Sequence, residues 1–100
     1  MGYLCLLEIH LHFPDNASLK GKRKELLSLK AQLRRRFGAS VSETDHHDLW
    51  QRATLSAVLV GSDAAAVDEA GREMRRFVES RYPDDVSFEH GLVSADEVLE

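Results

Sequence analysis

The sequence predicts an α+β domain of the ferredoxin-like type, a βαββαβ sandwich whose four-stranded antiparallel sheet carries two helices on one face. Two observations predict this fold. Segments with the period-two alternation of strands are interleaved with segments that have the apolar spacing of helices, and their order is strand–helix–strand–strand–helix–strand. Right-handed crossovers then place the first and third strands at the centre of the sheet, antiparallel to each other.

The first strand and the first helix are the clearest elements. Residues 3–13 alternate between apolar and polar side chains, which is typical of a half-buried strand. Ser18 is the predicted N-cap of a helix that continues to Phe37 with leucines at helical spacing. Gly38 follows and is expected to close this helix in the left-handed conformation.

The remaining elements are assigned by the same patterns. The sequence predicts strands at residues 39–45, 49–61 and 86–93, and a second helix that starts at Ser62 or Asp63 and ends before Pro83. We expect residues 1–100 to form a single domain, with residues 94–100 as a short acidic tail.

Composition indicates an ordinary globular protein. Of the 100 residues 43% are hydrophobic and 30% are charged. Cys5 is the single cysteine, so it cannot form an internal disulfide, and its place in an apolar strand predicts a buried, inert thiol. The sequence has neither a basic leader nor an uninterrupted apolar span, so we expect a cytoplasmic protein without membrane contact. No cofactor is predicted.

Charge is distributed unevenly along the chain. Residues 1–52 carry nine Lys and Arg against six Asp and Glu, whereas residues 53–100 carry four against eleven. Within the first helix, residues 20–36 contain eight basic residues and one acid, Glu25. Such a helix suits contact with RNA phosphates, although a solvated face neutralised by the acidic second helix is the competing interpretation. The predicted phosphate contacts are Lys20, Lys22, Arg23, Lys24, Arg34, Arg35 and Arg36.

A second concentration of functional side chains lies between the second and third strands. Residues 42–53 hold two adjacent histidines, three carboxylates, an arginine and the only tryptophan. In the predicted topology the end of the first strand lies beside the start of the third, so His10 and His12 should approach Trp50 and Arg52. The predicted partner-binding surface comprises Asp45, His46, Asp48, Trp50 and Arg52.

Three segments of the chain resemble a known family. Ser18-Leu19-Lys20-x-Lys22-Arg23, Leu33-Arg34-x-Arg36-Phe37 and Asp45-His46-x-Asp48-Leu49-Trp50-Gln51-Arg52-Ala53 are similar to blocks of the YlxP-like family, small bacterial proteins of unknown function. The resemblance implies a ferredoxin-like fold and genes placed near those for translation initiation and ribosome maturation, but no activity. This chain has Gly21 where that family commonly has glutamate. A glutamate at this position would complete a capping box with Ser18, and its absence makes the helix more basic by one charge.

Metal and acid–base chemistry are alternative interpretations of the histidines. His10 and His12 share one strand face, and a third zinc ligand could come from His46, His47, Asp45 or Asp48, although no recognised ligand motif accompanies them. The pairs Asp45-His46 and His47-Asp48 could serve proton transfer, but no nucleophile motif or phosphate loop is present, and a hydrogen-bonded turn explains them as well.

The open face of the sheet predicts self-association. Leu4, Leu6, Val58 and Val60 should form an apolar patch on the face that the helices leave uncovered. A twofold dimer that stacks sheet on sheet would bury this patch, whereas a C-terminal tail folded over it is the alternative.

The sequence therefore favours a non-catalytic binding protein that acts on RNA or the ribosome. The alternatives are a small metal-dependent or acid–base enzyme built on His10, His12 and His46, and a homo-oligomeric module for protein interaction.

Overall fold

The computed structural model describes residues 1–99 and has the predicted ferredoxin-like architecture. The sheet is antiparallel throughout, in the order β2-β3-β1-β4, and both long helices pack on one face. A short third helix is added at the C-terminus. The elements are β1 (Tyr3–His12), α1 (Leu19–Phe37), β2 (Ser40–Asp45), β3 (Arg52–Gly61), α2 (Ala64–Arg81), β4 (Val86–Ser94) and α3 (Ala95–Leu99).

The core lies between the helices and the two central strands. In β1 alternate residues from Cys5 to Leu11 are buried, and the register pairs Leu7 with Ala57 and Ile9 with Leu55. The side chains of a strand alternate between the two faces of the sheet. In this register the buried apolar residues of β1 and β3 lie on the same face, which is the face that α1 and α2 cover. The helices complete the layer with Leu26, Leu29, Leu33, Val67, Met74 and Val78.

The predicted helix ends are confirmed. The Ser18 hydroxyl accepts a hydrogen bond from the backbone N–H of Gly21 at 3.0 Å, which satisfies one of the free amides of the first turn of α1. Gly38 ends α1 in the left-handed conformation with φ 68°. Asp63 caps α2 by accepting a hydrogen bond from the N–H of Ala65 at 3.0 Å.

The predicted start of the third strand is wrong. β3 begins at Arg52, whereas residues 46–51 form a turn, and Trp50 therefore lies in a loop and not on the face of a central strand. The reason is local: His46 has φ 63°, and the Leu49 N–H donates to the His46 carbonyl at 3.1 Å. The chain reverses here, so Leu49 and Trp50 lie outside the sheet, whereas the Gln51 carbonyl accepts a hydrogen bond from the Phe13 N–H at 2.7 Å just before β3 begins.

The predicted acidic tail is more ordered than the sequence indicated. Ser94 is the last residue of β4, and a capping box connects it to Glu97 at the start of α3. The Ser94 N–H donates to a Glu97 carboxylate oxygen at 3.2 Å, and the Glu97 N–H donates to the Ser94 hydroxyl at 3.3 Å. Val98 and Leu99 remain mostly exposed, so this helix does not bury itself against the open sheet face.

The open face of the sheet carries the predicted apolar patch. Leu6 is 46% exposed and Val60 is 71% exposed, and Val93 of β4 adjoins them across from Leu4. Among residues 1–99, no helix is long and apolar enough to span a membrane.

Candidate binding surface

A buried lysine organises the region around the His/Trp loop. Lys22 lies in the first turn of α1 and is only 1% exposed. Its ammonium group donates to the Glu43 carboxylate at 3.0 Å, to the His46 carbonyl at 2.8 Å, and to the carbonyls of His47 and Arg52 at 3.3 and 3.2 Å. A charged group can be buried when it is paired and fully hydrogen-bonded, and Lys22 meets both conditions. Lys22 therefore joins α1, β2 and the loop at residues 46–51.

The position of Lys22 changes its predicted role. The sequence predicted that Lys22 contacts a phosphate backbone, but its ammonium group is buried against four protein oxygens. An ammonium group has three donors, which these oxygens already share. Lys22 therefore supports the loop from inside and presents no charge on the surface.

Asn16 and Gln51 fix the other side of the same loop. The Asn16 side-chain amide donates to the carbonyls of Trp50 and, at 2.8 Å, Ser18. Gln51 donates to the carbonyls of Pro14 and Asn16 at 3.3 Å. The loop before β3 is thus tied to the segment between β1 and α1 by side chains on both segments.

Gly21 has a specific place in this arrangement. A Cβ atom added at Gly21 would collide with the Asn16 side-chain oxygen and would lie 3.3 Å from the Ser18 hydroxyl. The missing side chain therefore provides the space in which Asn16 reaches the Trp50 carbonyl. Gly21 weakens helix propensity but permits the tie between the two loops.

The loop presents its large side chains to solvent. Trp50 is 52% exposed and Leu49 is 46% exposed, and Asp48 and Arg52 beside them are also exposed. His46 is half-buried, with its Nε2 atom 3.8 Å from the Asp45 carboxylate. An exposed tryptophan on a loop held by buried hydrogen bonds is a pre-organised contact, because little loop entropy remains to be lost on binding.

The basic side chains of α1 divide into two groups. Arg34 donates to the Val41 carbonyl at 2.9 Å, and Arg36 stacks over the Phe77 ring at 4.4 Å from its centroid. These two arginines have structural partners in the protein. Within residues 1–99, no carboxylate pairs with the other basic side chains of this helix, which are Lys20, Arg23, Lys24, Lys30 and Arg35.

The acidic residues of α2 do not neutralise α1. Asp68 pairs with Arg72 at 2.9 Å, and Glu69 pairs with Arg76 at 3.0 Å, both within α2. In the ion pair between the two helices, α2 supplies the cation and α1 the anion: Arg81 of α2 lies 4.0 Å from Glu25, the one acid of α1. In the part of the chain that the structure describes, no acid of α2 therefore pairs with a basic residue of α1, as the competing interpretation of the basic helix would require.

The histidines of the open face have separate partners. His10 lies 3.1 Å from the Thr54 hydroxyl through Nδ1 and 3.4 Å from a Glu89 oxygen through Nε2. His12 pairs in register with Arg52, as the topology predicted, and its Nδ1 lies 3.8 Å from the Asp85 carboxylate.

Other partners occupy the loop histidines as well. His47 contacts the Glu43 carbonyl at 3.1 Å through Nε2. Across residues 1–99, the metal candidates His10, His12 and His46 do not come together as a group of ligands.

The structure does bring together three other side chains that the sequence reasoning missed. Cys5 of β1, His90 of β4 and Asp68 of α2 meet on the helix-covered face: His90 Nε2 lies 3.3 Å from Cys5 Sγ and 2.8 Å from Asp68 Oδ1. Burial, and then the charge of Asp68, raises the pKa of the Cys5 thiol. One feature of the sequence indicates part of this cluster: the alternation of side chains along β4 places His90 on the same face of the sheet as Cys5.

An open cleft of about 640 Å³ lies between α1, the segment that follows β1, and the segment that joins α2 to β4. Phe13 and Tyr82 form its wall, with their ring centroids 5.7 Å apart and nearly perpendicular. The Tyr82 hydroxyl donates to Glu25 at 2.9 Å, and burial together with this bond raises the pKa of Tyr82 to about 12. This side chain therefore remains a neutral donor throughout the physiological pH range.

We predict that Lys22→Met destabilises the protein by about 3–5 kcal/mol, because it leaves Glu43 and three carbonyl groups without their buried cation. Urea denaturation measures this change in the free energy of unfolding. Glu43→Gln should cost less, since the three bonds to carbonyl groups remain. Lys24→Met on the exposed side of α1 is the control and should change stability by no more than about 0.5 kcal/mol. A cost below about 1 kcal/mol for Lys22→Met would contradict the assigned role.

Comparisons with known proteins give the fold and a family. The crystal structure of a variant of SnoaB, a cofactor-independent oxygenase from Streptomyces nogalater, is similar to this chain with a TM-score of 0.55 and 14% identity, over 97% of this chain and 96% of that one. At this identity the likeness concerns the fold alone. No curated protein matches. A family model described as "Protein of unknown function (DUF503)" matches residues 4–89, and the chain belongs to that family.

Proposed function

We propose that this protein is a non-catalytic RNA-binding protein that acts on ribosomal RNA, with the outward face of α1 against the phosphate backbone. The observation that carries the proposal is the group of basic side chains on α1 that have no carboxylate partner within residues 1–99. Phosphate contacts by Lys and Arg dominate the affinity of proteins for nucleic acids. A helix that keeps its cations unpaired in an otherwise acidic protein has the charge distribution that this binding requires.

The spacing along α1 supports a backbone contact. Lys20, Lys24 and Arg35 are exposed and follow the spacing of one helical face, on the side away from the core leucines. Together they span about 22 Å at the helical rise of 1.5 Å per residue. A contact of this length covers several successive phosphates, and the free N–H groups at the start of α1 add positive potential at one end.

The Trp50 loop supplies a second contact of a different kind. Lys22 holds this loop against the first turn of α1, so Trp50 is displayed near the basic residues at that end of the helix. An exposed aromatic ring can stack on an unpaired base, and Arg52 and His46 beside it can bond to phosphate or base edges. Unpaired bases occur in the loops and bulges of structured RNA, which favours ribosomal RNA over a uniform duplex.

The acidic part of the chain restricts the orientation of this contact. Residues 53–100 carry eleven acidic residues against four basic ones; α2 holds all four basic residues and four of the acids, so the acidic excess lies in the segments around α2. This half of the protein repels polyanions, so contact is directed to the outer side of α1. The resemblance to YlxP-like proteins, whose genes lie near those for translation, is consistent with a ribosomal target and a cytoplasmic location.

The first test is co-sedimentation with ribosomal subunits across a salt series. The triple variant Lys20→Gln, Lys24→Gln, Arg35→Gln removes three unpaired cations, and we expect it to reduce the slope of log affinity against log salt by about 2–3. The matched control Arg72→Gln, Arg75→Gln, Arg76→Gln makes the same charge change on α2 and should leave the slope unchanged. Absence of binding at low salt, or equal loss in both triple variants, would contradict the proposal.

The second test concerns the Trp50 loop. Trp50→Ala should weaken RNA binding by about 1–3 kcal/mol without changing the salt slope, because it removes stacking and no charge. Trp50→Phe retains an aromatic face and should recover most of the affinity. Since Trp50 is the only tryptophan, quenching of its fluorescence reports the contact directly in the unmodified protein. Unchanged fluorescence on saturation with RNA would exclude Trp50 from the contact.

The exposed apolar end of the open sheet face favours a second candidate role, self-association as a twofold dimer. Val60 is 71% exposed and Leu6 is 46% exposed, and no element within residues 1–99 covers them. Val60→Glu should convert a dimer to a monomer in sedimentation equilibrium, because it places a charge in the stacked sheets. Leu27→Glu is the matched control, since Leu27 is 66% exposed but lies on α1. A monomeric parent protein would exclude this role.

A further inference from the structure

We propose that Cys5, Asp68 and His90 form a binding site for a single zinc ion between α2 and the β1–β4 pair. This site is separate from the RNA surface, since it lies under α2 and uses none of the residues assigned to RNA contact. It is the one group of three metal-ligating side chains that comes together within residues 1–99.

The distances between the ligand atoms suit zinc after a small adjustment. Tetrahedral zinc with sulfur, nitrogen and oxygen ligands places those atoms about 3.3–3.6 Å apart. In the structure His90 Nε2 lies 3.3 Å from Cys5 Sγ and 2.8 Å from Asp68 Oδ1, and all three atoms lie within 4.8 Å of one another. Cys5 Sγ and His90 Nε2 are therefore already at the required separation, and His90 Nε2 and Asp68 Oδ1 must separate by about 0.6 Å to admit the ion in place of their hydrogen bond.

Gly71 provides a second, independent indication of a built site. Gly71 is buried in the middle of α2, where glycine is a poor helix former. A Cβ atom at this position would lie 2.5 Å from Cys5 Sγ and 3.1 Å from the His90 ring. The missing side chain therefore allows the thiol and the imidazole to meet beneath the helix.

The chemistry of the three ligands selects among metals. A thiolate, an imidazole and a carboxylate form a donor set typical of zinc, whereas magnesium and calcium take oxygen ligands. Arg72 holds the second Asp68 oxygen at 2.9 Å, which leaves Oδ1 free to bind the ion as a single ligand. The thiolate and the carboxylate together balance the charge of the dication.

The surroundings leave one coordination position accessible. Cys5 is fully buried, but the side chains of His90 and Asp68 are 13% and 24% exposed. Water can complete the tetrahedron from that side. Zinc would join β1, β4 and α2, so binding should raise the melting temperature. Binding also displaces the Cys5 thiol proton to solvent, and zinc affinity should therefore rise with pH.

The test is titration of untagged, chelator-treated protein with cobalt(II), followed by displacement with zinc. We expect one equivalent to bind, with a thiolate-to-cobalt absorption band and a higher melting temperature in zinc. His90→Gln and Asp68→Asn should each lower the affinity by more than about 100-fold, beyond the loss typical of outer-shell partners. Cys5→Ser should abolish the absorption band. The matched controls His12→Gln and His47→Gln, on exposed histidines, should retain binding.

Gly71→Ala gives a test that leaves all three ligands in place. The new Cβ atom should displace Cys5 and His90 and weaken cobalt binding, while circular dichroism reports whether α2 remains folded. Absence of stoichiometric binding by the parent protein would overturn the proposal. An absorption band that persists in folded His90→Gln, or disappears in His12→Gln, would overturn it as well. None of these outcomes depends on RNA binding.

Discussion

The buried ammonium group of Lys22 is the interaction on which the arrangement of the candidate surface depends. Removing a charge from water is costly, and the cost is offset here by one carboxylate and three carbonyl groups. Those acceptors belong to β2, to the loop and to the first residue of β3. One side chain thus fixes where α1 starts relative to the sheet, and it fixes the loop that displays Trp50. The left-handed backbone at His46 is tolerated because its carbonyl is held in this network.

The positive charge of α1, which α2 does not neutralise, is the second constraint. In α2, Asp68 and Glu69 pair with arginines of the same helix, and the one acid of α1 is used by Arg81. α1 therefore keeps its positive charge, whereas α2, with four acids and four arginines, is neutral overall, and the acidic excess of the protein lies outside these two helices. Surface ion pairs of this kind add little stability, but their pattern determines which ligands can approach. The proposed RNA contact follows from the pattern and not from the net charge of the protein.

Much of the fold could be predicted because it depends on local rules. The alternation from Cys5 to Leu11 predicted the buried face of β1, and Ser18 and Gly38 gave the ends of α1 from hydrogen bonding and backbone conformation alone. The start of β3 could not be predicted in this way, because nothing in the sequence separates Leu49 and Trp50 from the strand that follows them until the turn at His46 is known.

The candidate sites depended more on tertiary structure. The basic pattern of α1 predicts a surface cation at Lys22, yet Lys22 has the helical spacing of the buried Leu26, Leu29 and Leu33, and this spacing can be read from the sequence. The cluster of Cys5, Asp68 and His90 joins residues up to 85 positions apart, so only the packing of α2 on β1 and β4 could show it.

The central claim is that RNA contacts the outward face of α1 and the adjacent Trp50 loop. The most direct measurement is amide and indole chemical-shift mapping of the isotope-labelled protein during titration with a ribosomal RNA fragment that contains an unpaired loop. We expect perturbations at Lys20, Lys24 and the Trp50 indole, and none on α2. Perturbations confined to α2 or to the open sheet face, or none at saturating RNA, would contradict it.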